Sequence, residues 1–240
     1  VQELLHIDRT TIYRMLKDGR LLGVKVGHQW RFPAHEVNDL LSGAIRVKQS
    51  ERPYSVDILP LHCLQPIQDV FAEIAEVGAV TVDENGQPLT RIFNSGDFCK
   101  LIYESKQGYK ACRQSWQKLV QQTNSSQKYF SCHAGLQYTS ADIEIKGQRV
   151  AYFIVGQFLE NSPEPEKFAE SVQTLSYKYH IDPSKLLEAS QGIPIHDNHR
   201  VTKINQWIER VSQTFGQIST ERADLTSRLQ QISEISIVNI

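Results

Sequence analysis

No stretch of this 240-residue chain approaches the ~18 consecutive apolar residues of a membrane helix, and no charged-then-apolar leader opens it. Neither a membrane-spanning nor a secreted protein is expected. The four cysteines contain no C-x-x-C pair; they are spaced 36, 13 and 20 residues apart, so no zinc-finger or thioredoxin motif is written in them. An excess of charge is missing as well, with 26 Lys and Arg against 27 Asp and Glu. Such balance argues against a nucleic-acid partner only if the charge is spread evenly. What is present is ordinary globular composition, 40% hydrophobic and 22% charged, with length for one or two domains.

The charge is not even. Residues 1–52 hold nine basic and six acidic groups, residues 53–159 nine and ten, and residues 160–240 eight and eleven. Within the first segment, Arg9, Arg14, Lys17, Arg20, Lys25 and Arg31 face a single acid, Asp18, over residues 9–31. Phosphate attraction is screened beyond roughly 10 Å, so a compact cationic stretch can serve a neutral protein. A solvated helix face would look the same by charge alone.

The pattern around those residues is more specific. Val1, Leu4 and Leu5 give a first short helix its apolar face. After the turn His6-Ile7-Asp8, Asp8 is placed to cap a second helix over 9–17, with Ile12, Leu16 and Met15 inward and Gly19 as a left-handed end. Residues 23–32 alternate as a hairpin around Gly27-His28, Pro33 stops it, and 36–41 form a closing helix burying Val37, Leu40 and Leu41. The run LLHIDRTTIYRMLKDGRLLGVKVGHQWRFPAHEVNDLL resembles the excisionase-family, MerR-related winged helix-turn-helix domain over about the first 42 residues. That resemblance implies a double-stranded DNA partner. It places Arg9, Thr10, Thr11, Tyr13 and Arg14 at the start of a recognition helix in the major groove, and Lys25, His28 and Arg31 on a wing near phosphates. Trp30 reads as wing core. The chain begins at Val1, partway into the family's first helix, so a natural N-terminus is expected ahead of it.

Residues 43–60 are polar with two prolines and read as a linker. Residues 61–195 read as a sensory domain. A helix over 63–75 has Ile67, Val70, Phe71 and Ile74 on one face. A strand over 77–83 turns at Asn85-Gly86 and returns over 89–94. Helices follow over 97–104 and 109–123, then strands over 129–132, 138–145 and 149–158, and helices from Pro163 and Pro183. The fold class is α+β: a winged helix-turn-helix, a central PAS-like antiparallel sheet with helices, and a C-terminal helical, coiled-coil segment over 199–240. In that segment Val201, Ile204, Ile208, Val211, Phe215, Ile218, Leu225, Leu229 and Ile232 follow a 3–4 alternation broken only by Arg222. A parallel coiled-coil homodimer is expected from it, against the alternative of one helix packed on its own domain. The apolar ending 235–240 suggests that a natural chain continues.

The segment DFCKLIYESKQGYKACRQSW…YFSCHAGLQYTSADIEIKGQRVAYFIVGQFL resembles the PocR sensory domain over about residues 58–190. Its sharpest marks are Phe98-Cys99, Cys112, the run Cys132-His133-Ala134-Gly135-Leu136, and Gly156-Gln157. The resemblance implies a small hydrocarbon derivative such as a diol as effector. The chain departs from the family at Asp142 and at Tyr152-Phe153, so no particular compound carries over. Phe98, Tyr129, Tyr138 and Gln157 are the candidate pocket residues.

The cysteines admit three readings. They are buried core thiols; or Cys63, Cys99, Cys112 and Cys132, with His133, hold zinc or an iron–sulfur cluster; or Cys132 beside His133 is a redox-sensing thiol. A Cys132–His133–Asp142 nucleophile arrangement finds no support in the spacing, and no enzyme is expected. The expectation is a cytoplasmic, ligand-responsive transcription regulator. A metal- or cluster-based redox sensor, and an architectural, excisionase-type DNA-binding factor, are the alternatives.

Overall fold

The computed structural model describes residues 1–18, 20–41, 54–122 and 129–237. They fall into two compact units, residues 1–53 with 221–240, and residues 54–220. The C-cap expected at Gly19 and the linker over 43–53 lie outside the described residues.

In the smaller unit, α1 (Gln2–Leu5) ends at His6 in the left-handed region, and α2 (Arg9–Lys17) begins after Asp8. Asp8 accepts the Thr11 amide at 2.9 Å and the Thr11 hydroxyl at 2.7 Å, and these bonds hold its carboxyl below the usual range. β1 (Val24–Val26) and β2 (Gln29–Arg31) then pair around Gly27-His28. Only Gly27 of that pair has a positive φ, +61°, the type II′ pattern that suits a two-residue hairpin. α3 (Ala34–Leu41) closes the unit. Ile12, Leu21 and Val37 form its buried centre, whereas Leu4 and Leu41 are exposed, contrary to the sequence reading. So few residues cannot cover both flanks of every short helix.

The larger unit begins earlier than the sequence suggests. Residues 54–60 read as linker, yet Leu59 is buried, and Tyr54 exchanges two hydrogen bonds with the Gln148 amide, at 2.8 and 3.1 Å. A 3₁₀ turn over Val56–Ile58 leads into α4 (Leu61–Ala75), β3 (Gly78–Val82), α5 (Asp97–Glu104), α6 (Lys106–Gln121), β4 (Phe130–Ser131), β5 (Gln137–Ile145), β6 (Gln148–Phe158), α7 (Pro165–Tyr179), α8 (Pro183–Ser190) and α9 (Asn198–Ile237). The sheet is antiparallel in the order β3-β6-β5-β4.

Both faces of this sheet are covered, which explains why β6 reads as a nearly unbroken apolar run. Ala151, Phe153 and Val155 point to one face, where α4 and α9 supply Leu64, Phe71, Ala75, Val201, Ile204, Ile208 and Phe215. Tyr152 and Ile154 point to the other, against Phe98 and Ile102 of α5, Trp116 of α6, Val172 and Tyr179 of α7 and Leu186 of α8. The alternation breaks at Gln157, whose φ is +73°, opposite a register shift at Gln137/Tyr138. This bulge turns Phe158 back to the α4–α9 face and aims Gln157 at the other.

Two helical faces differ from the sequence reading. On α4, Val70 and Ile74 are exposed, and Leu64, Gln68, Phe71, Ala72 and Ala75 are buried instead. Gln68 is tolerated inside because its amide is fully used. It accepts the Thr81 and Thr90 hydroxyls at 3.1 and 2.7 Å and donates to the carbonyls of Ala79 and Arg91 at 3.3 and 2.8 Å. These bonds supplement a broken ladder for residues 88–93, which meet β3 through the bridges Val82–Pro88 and Ala79–Phe93 and through the Leu89 and Thr90 amides, both of which donate to the Thr81 carbonyl.

On α9, the stripe expected to form a dimer seam is spent in its first half on the chain's own sheet. Val201, Ile204, Ile208 and Phe215 are buried there. The Ser212 hydroxyl donates to the Asp142 carbonyl, and a Cβ at Gly216 would collide with the Glu144 carbonyl oxygen. Leu225 and Leu229, at 59% and 67% exposure, are the stripe positions left uncovered among the described side chains. The side chain of Ile232 lies outside the described residues.

Candidate sensory site and DNA interface

In the smaller unit, α2 and the hairpin flank a cleft of about 460 Å³. Arg9, Tyr13, His28 and Arg31 line it, with Ile12, Leu16 and Trp30 behind them. The Arg9 guanidinium lies 5.6 Å from the Tyr13 ring centroid, and Tyr13 meets Trp30 edge-on at 6.5 Å. Arg9 also draws the Tyr13 hydroxyl below its ordinary pKa. Thr10, Arg14 and Lys25 are exposed outside that cleft. Thr11, named as a DNA contact by the sequence reading, has its hydroxyl engaged by Asp8.

In the larger unit, His133 is the centre of the thiol cluster. Its main chain leaves β4 into the turn 132–135, where Gly135 takes a φ of +81°. The ring is gripped at both nitrogens, Nδ1 by the Tyr179 hydroxyl at 2.8 Å and Nε2 by the Cys112 sulfur at 3.3 Å. The His133 amide donates to the Ser115 hydroxyl at 3.2 Å. Burial, then the Lys178 charge, lowers the His133 pKa to about 4. The neutral ring therefore donates at one nitrogen and accepts at the other.

Cys99, Cys112 and Cys132 surround this imidazole with Ile102, Trp116 and Tyr138. Burial pushes the Cys112 thiol up to about 12 and the Cys99 and Cys132 thiols above their ordinary value. All three are protonated thiols near neutral pH and weak nucleophiles. Within the turn, the His133 ring bonds the Cys112 sulfur rather than that of its neighbour Cys132. Cys132 instead accepts the Ala134 amide at 3.3 Å. Cys63 stands apart, exposed on α4. Among the described residues, no three His, Cys, Asp or Glu side chains are spaced to hold a metal ion. Asp142 is ion-paired to Arg149 at 2.7 Å, so it does not complete a triad with His133.

Of the candidate pocket residues, Phe98, Tyr138 and Gln157 share the α5–α8 face, and Tyr129 does not. The Tyr129 hydroxyl donates to the Val201 carbonyl at 3.2 Å and meets Asn205 on the α4–α9 side. Gln157 accepts the Ser95 hydroxyl and the Gly96 amide, both at 3.1 Å, and pairs with the Tyr138 hydroxyl. The sequence reading missed Tyr179, Ser115 and Trp116, which close the site from α6 and α7. The free space beside the thiols is about 10 Å³, room for one water at most.

His133 gives a pH prediction. Its folded pKa lies below the ordinary imidazole value of 6.5, so the unfolded chain binds the extra proton first. The stability carried by the neutral ring is complete above about 6.5 and is lost as pH falls through about 4. Melting temperatures taken between those limits should fall less steeply for His133→Gln than for the parent. Equal slopes would refute the burial of a neutral ring.

The smaller unit pairs a helix-turn-helix with a β-hairpin, and the larger is an antiparallel sheet covered by helices on both faces. The family model described as the sensory domain found in PocR matches residues 57–220, and the chain belongs to that family. The model described as a helix-turn-helix domain matches residues 1–44. The regulatory protein PocR of Salmonella typhimurium is 27% identical over 150 residues, 61% of this chain and 48% of that protein. The chain thus spans about half the length of this curated relative. No solved structure matches it. No helix among the described residues is long and apolar enough to cross a membrane.

Proposed function

We propose that this protein is a cytoplasmic transcription regulator whose PocR-type domain senses a small molecule and whose helix-turn-helix reads a DNA site as a homodimer. The observation that carries the reading is the union of the two units on one chain, with Arg9, Tyr13, His28 and Arg31 exposed around one cleft of the DNA-binding unit. The exposed Leu225 and Leu229 continue the apolar stripe of α9 and supply a contact for a second copy. A single small wing buries too little surface for tight specific binding, which favours paired half-sites.

Selection of random duplexes by the full chain is the test. Enrichment of a two-fold related sequence is expected; retention of all duplexes alike would refute a specific regulator.

A second reading has one observation in its favour: three thiols and an imidazole line one small space, although they would have to draw together to hold an ion. Cys99, Cys112, Cys132 and His133 would then take a soft metal or cluster, Cys63 being remote. Absorption spectra and metal analysis of anaerobically purified protein decide it: visible bands with stoichiometric iron, or bound zinc, support it, and colourless metal-free protein refutes it.

A further inference from the structure

The larger unit has a second recess, separate from the thiols. Residues 88–95 and the outer side of α5 line an open groove of about 750 Å³, within the range of small-ligand sites, whereas the space beside His133 is about 10 Å³. An effector of more than one or two heavy atoms fits the first without rearrangement and not the second. Its walls are Leu89, Ile92, Phe93 and Tyr103. Tyr103 is braced from behind, edge-on to Tyr109 at 4.9 Å and tilted against Trp116 at 6.1 Å.

The charged groups in the recess are Arg91, Lys100 and Glu104. Lys100 is ion-paired to Asp97 at 3.0 Å. Arg91 has no ion-pair partner among the described residues. Its backbone, however, is pinned. The Gln65 amide accepts from Arg91 N at 2.8 Å, and Gln65 and Gln68 both donate to its carbonyl, at 3.2 and 2.8 Å. Three hydrogen bonds from two glutamines thus fix the stem of an unpaired guanidinium beside an apolar, aromatic wall. That is the arrangement that receives one carboxylate on an apolar body.

We infer that the recess between residues 88–95 and α5 is the effector site, and that its ligand is a small organic monocarboxylate with Arg91 as the anion's partner. The inference rests on the sensor reading and names its site and ligand class. The wall also has a route to the sheet, because Ser95 and Gly96 end it and hold Gln157 at the β6 bulge.

Titration of the full chain with benzoate, benzyl alcohol and propane-1,2-diol, followed by calorimetry, tests it. Benzoate should bind, and benzyl alcohol at least tenfold more weakly. Arg91→Met should weaken benzoate at least tenfold while leaving benzyl alcohol unchanged. Tyr103→Ala should weaken both, and Cys112→Ser neither. Absence of benzoate binding, equal binding by Arg91→Met, or tighter binding of propane-1,2-diol overturns the assignment. Duplex binding by the same preparation separates this failure from failure of the regulator reading: protein that selects DNA but ignores benzoate is still a regulator.

Discussion

Replacement of both Arg9 and Arg14 by alanine is expected to weaken specific duplex binding by about 10²–10³-fold, with the fold intact. Both side chains are exposed on α2, and neither contributes to the buried centre of Ile12, Leu21 and Val37. A base or phosphate contact by arginine is worth roughly 1–3 kcal/mol, and two such losses multiply. Removing a cation that neutralises a phosphate should also flatten the dependence of log K on log salt by about one unit. The Asp8–Thr11 cap remains, so the helix should form as before. Binding titrations at three salt concentrations, with circular dichroism as the control for folding, check this. Unchanged affinity with unchanged slope would remove α2 from the interface.

The second large effect is on stability. Phe215 is fully buried, with its ring centroid 5.2 Å from Phe153, which in turn meets Phe71 at 5.5 Å. These rings join α9, β6 and α4 on one face of the sheet. Phe215→Ala removes a filled aromatic position and should cost about 3–5 kcal/mol. For a unit of this size that is a fall in melting temperature of roughly 10 °C. The loss should not depend on protein concentration, because Phe215 packs within its own chain. Leu225→Ala with Leu229→Ala should behave oppositely, weakening self-association and sparing the sensory unit. A small, concentration-dependent effect of Phe215→Ala would restore the dimer seam to the whole of α9.

That contrast shows where sequence pattern ends. A 3–4 apolar stripe specifies that a helix has a flat partner, not whether the partner is a sheet of the same chain or a second copy. The same ambiguity displaced Val70 and Ile74, since a buried Gln68 satisfied by two threonines and two carbonyls looks polar in sequence. The helix 97–104 and the hairpin over 137–158 were legible because local signals agreed: helical spacing in one, two apolar segments around the Lys146-Gly147 turn in the other. The site was half legible. Cys99, Cys112, Cys132, His133, Tyr138 and Gln157 lie on one face of the sheet, whereas Tyr129 lies on the other by the parity of one residue, Phe130 taking the first. The grip of Tyr179 on His133 spans 46 positions, and no local pattern announces it.

The two ways in which neighbours hold β3 give its two flanks different clocks. On one flank β6 carries a continuous ladder, buried on both faces, so its amide hydrogens should exchange with solvent only when the whole unit opens. On the other, the Arg91 amide is held by a glutamine side chain, and a single rotamer change frees it. Deuterium should therefore enter at the Arg91 amide long before β6. A ligand settling against Arg91 would register there first, as slowed labelling of that amide alone.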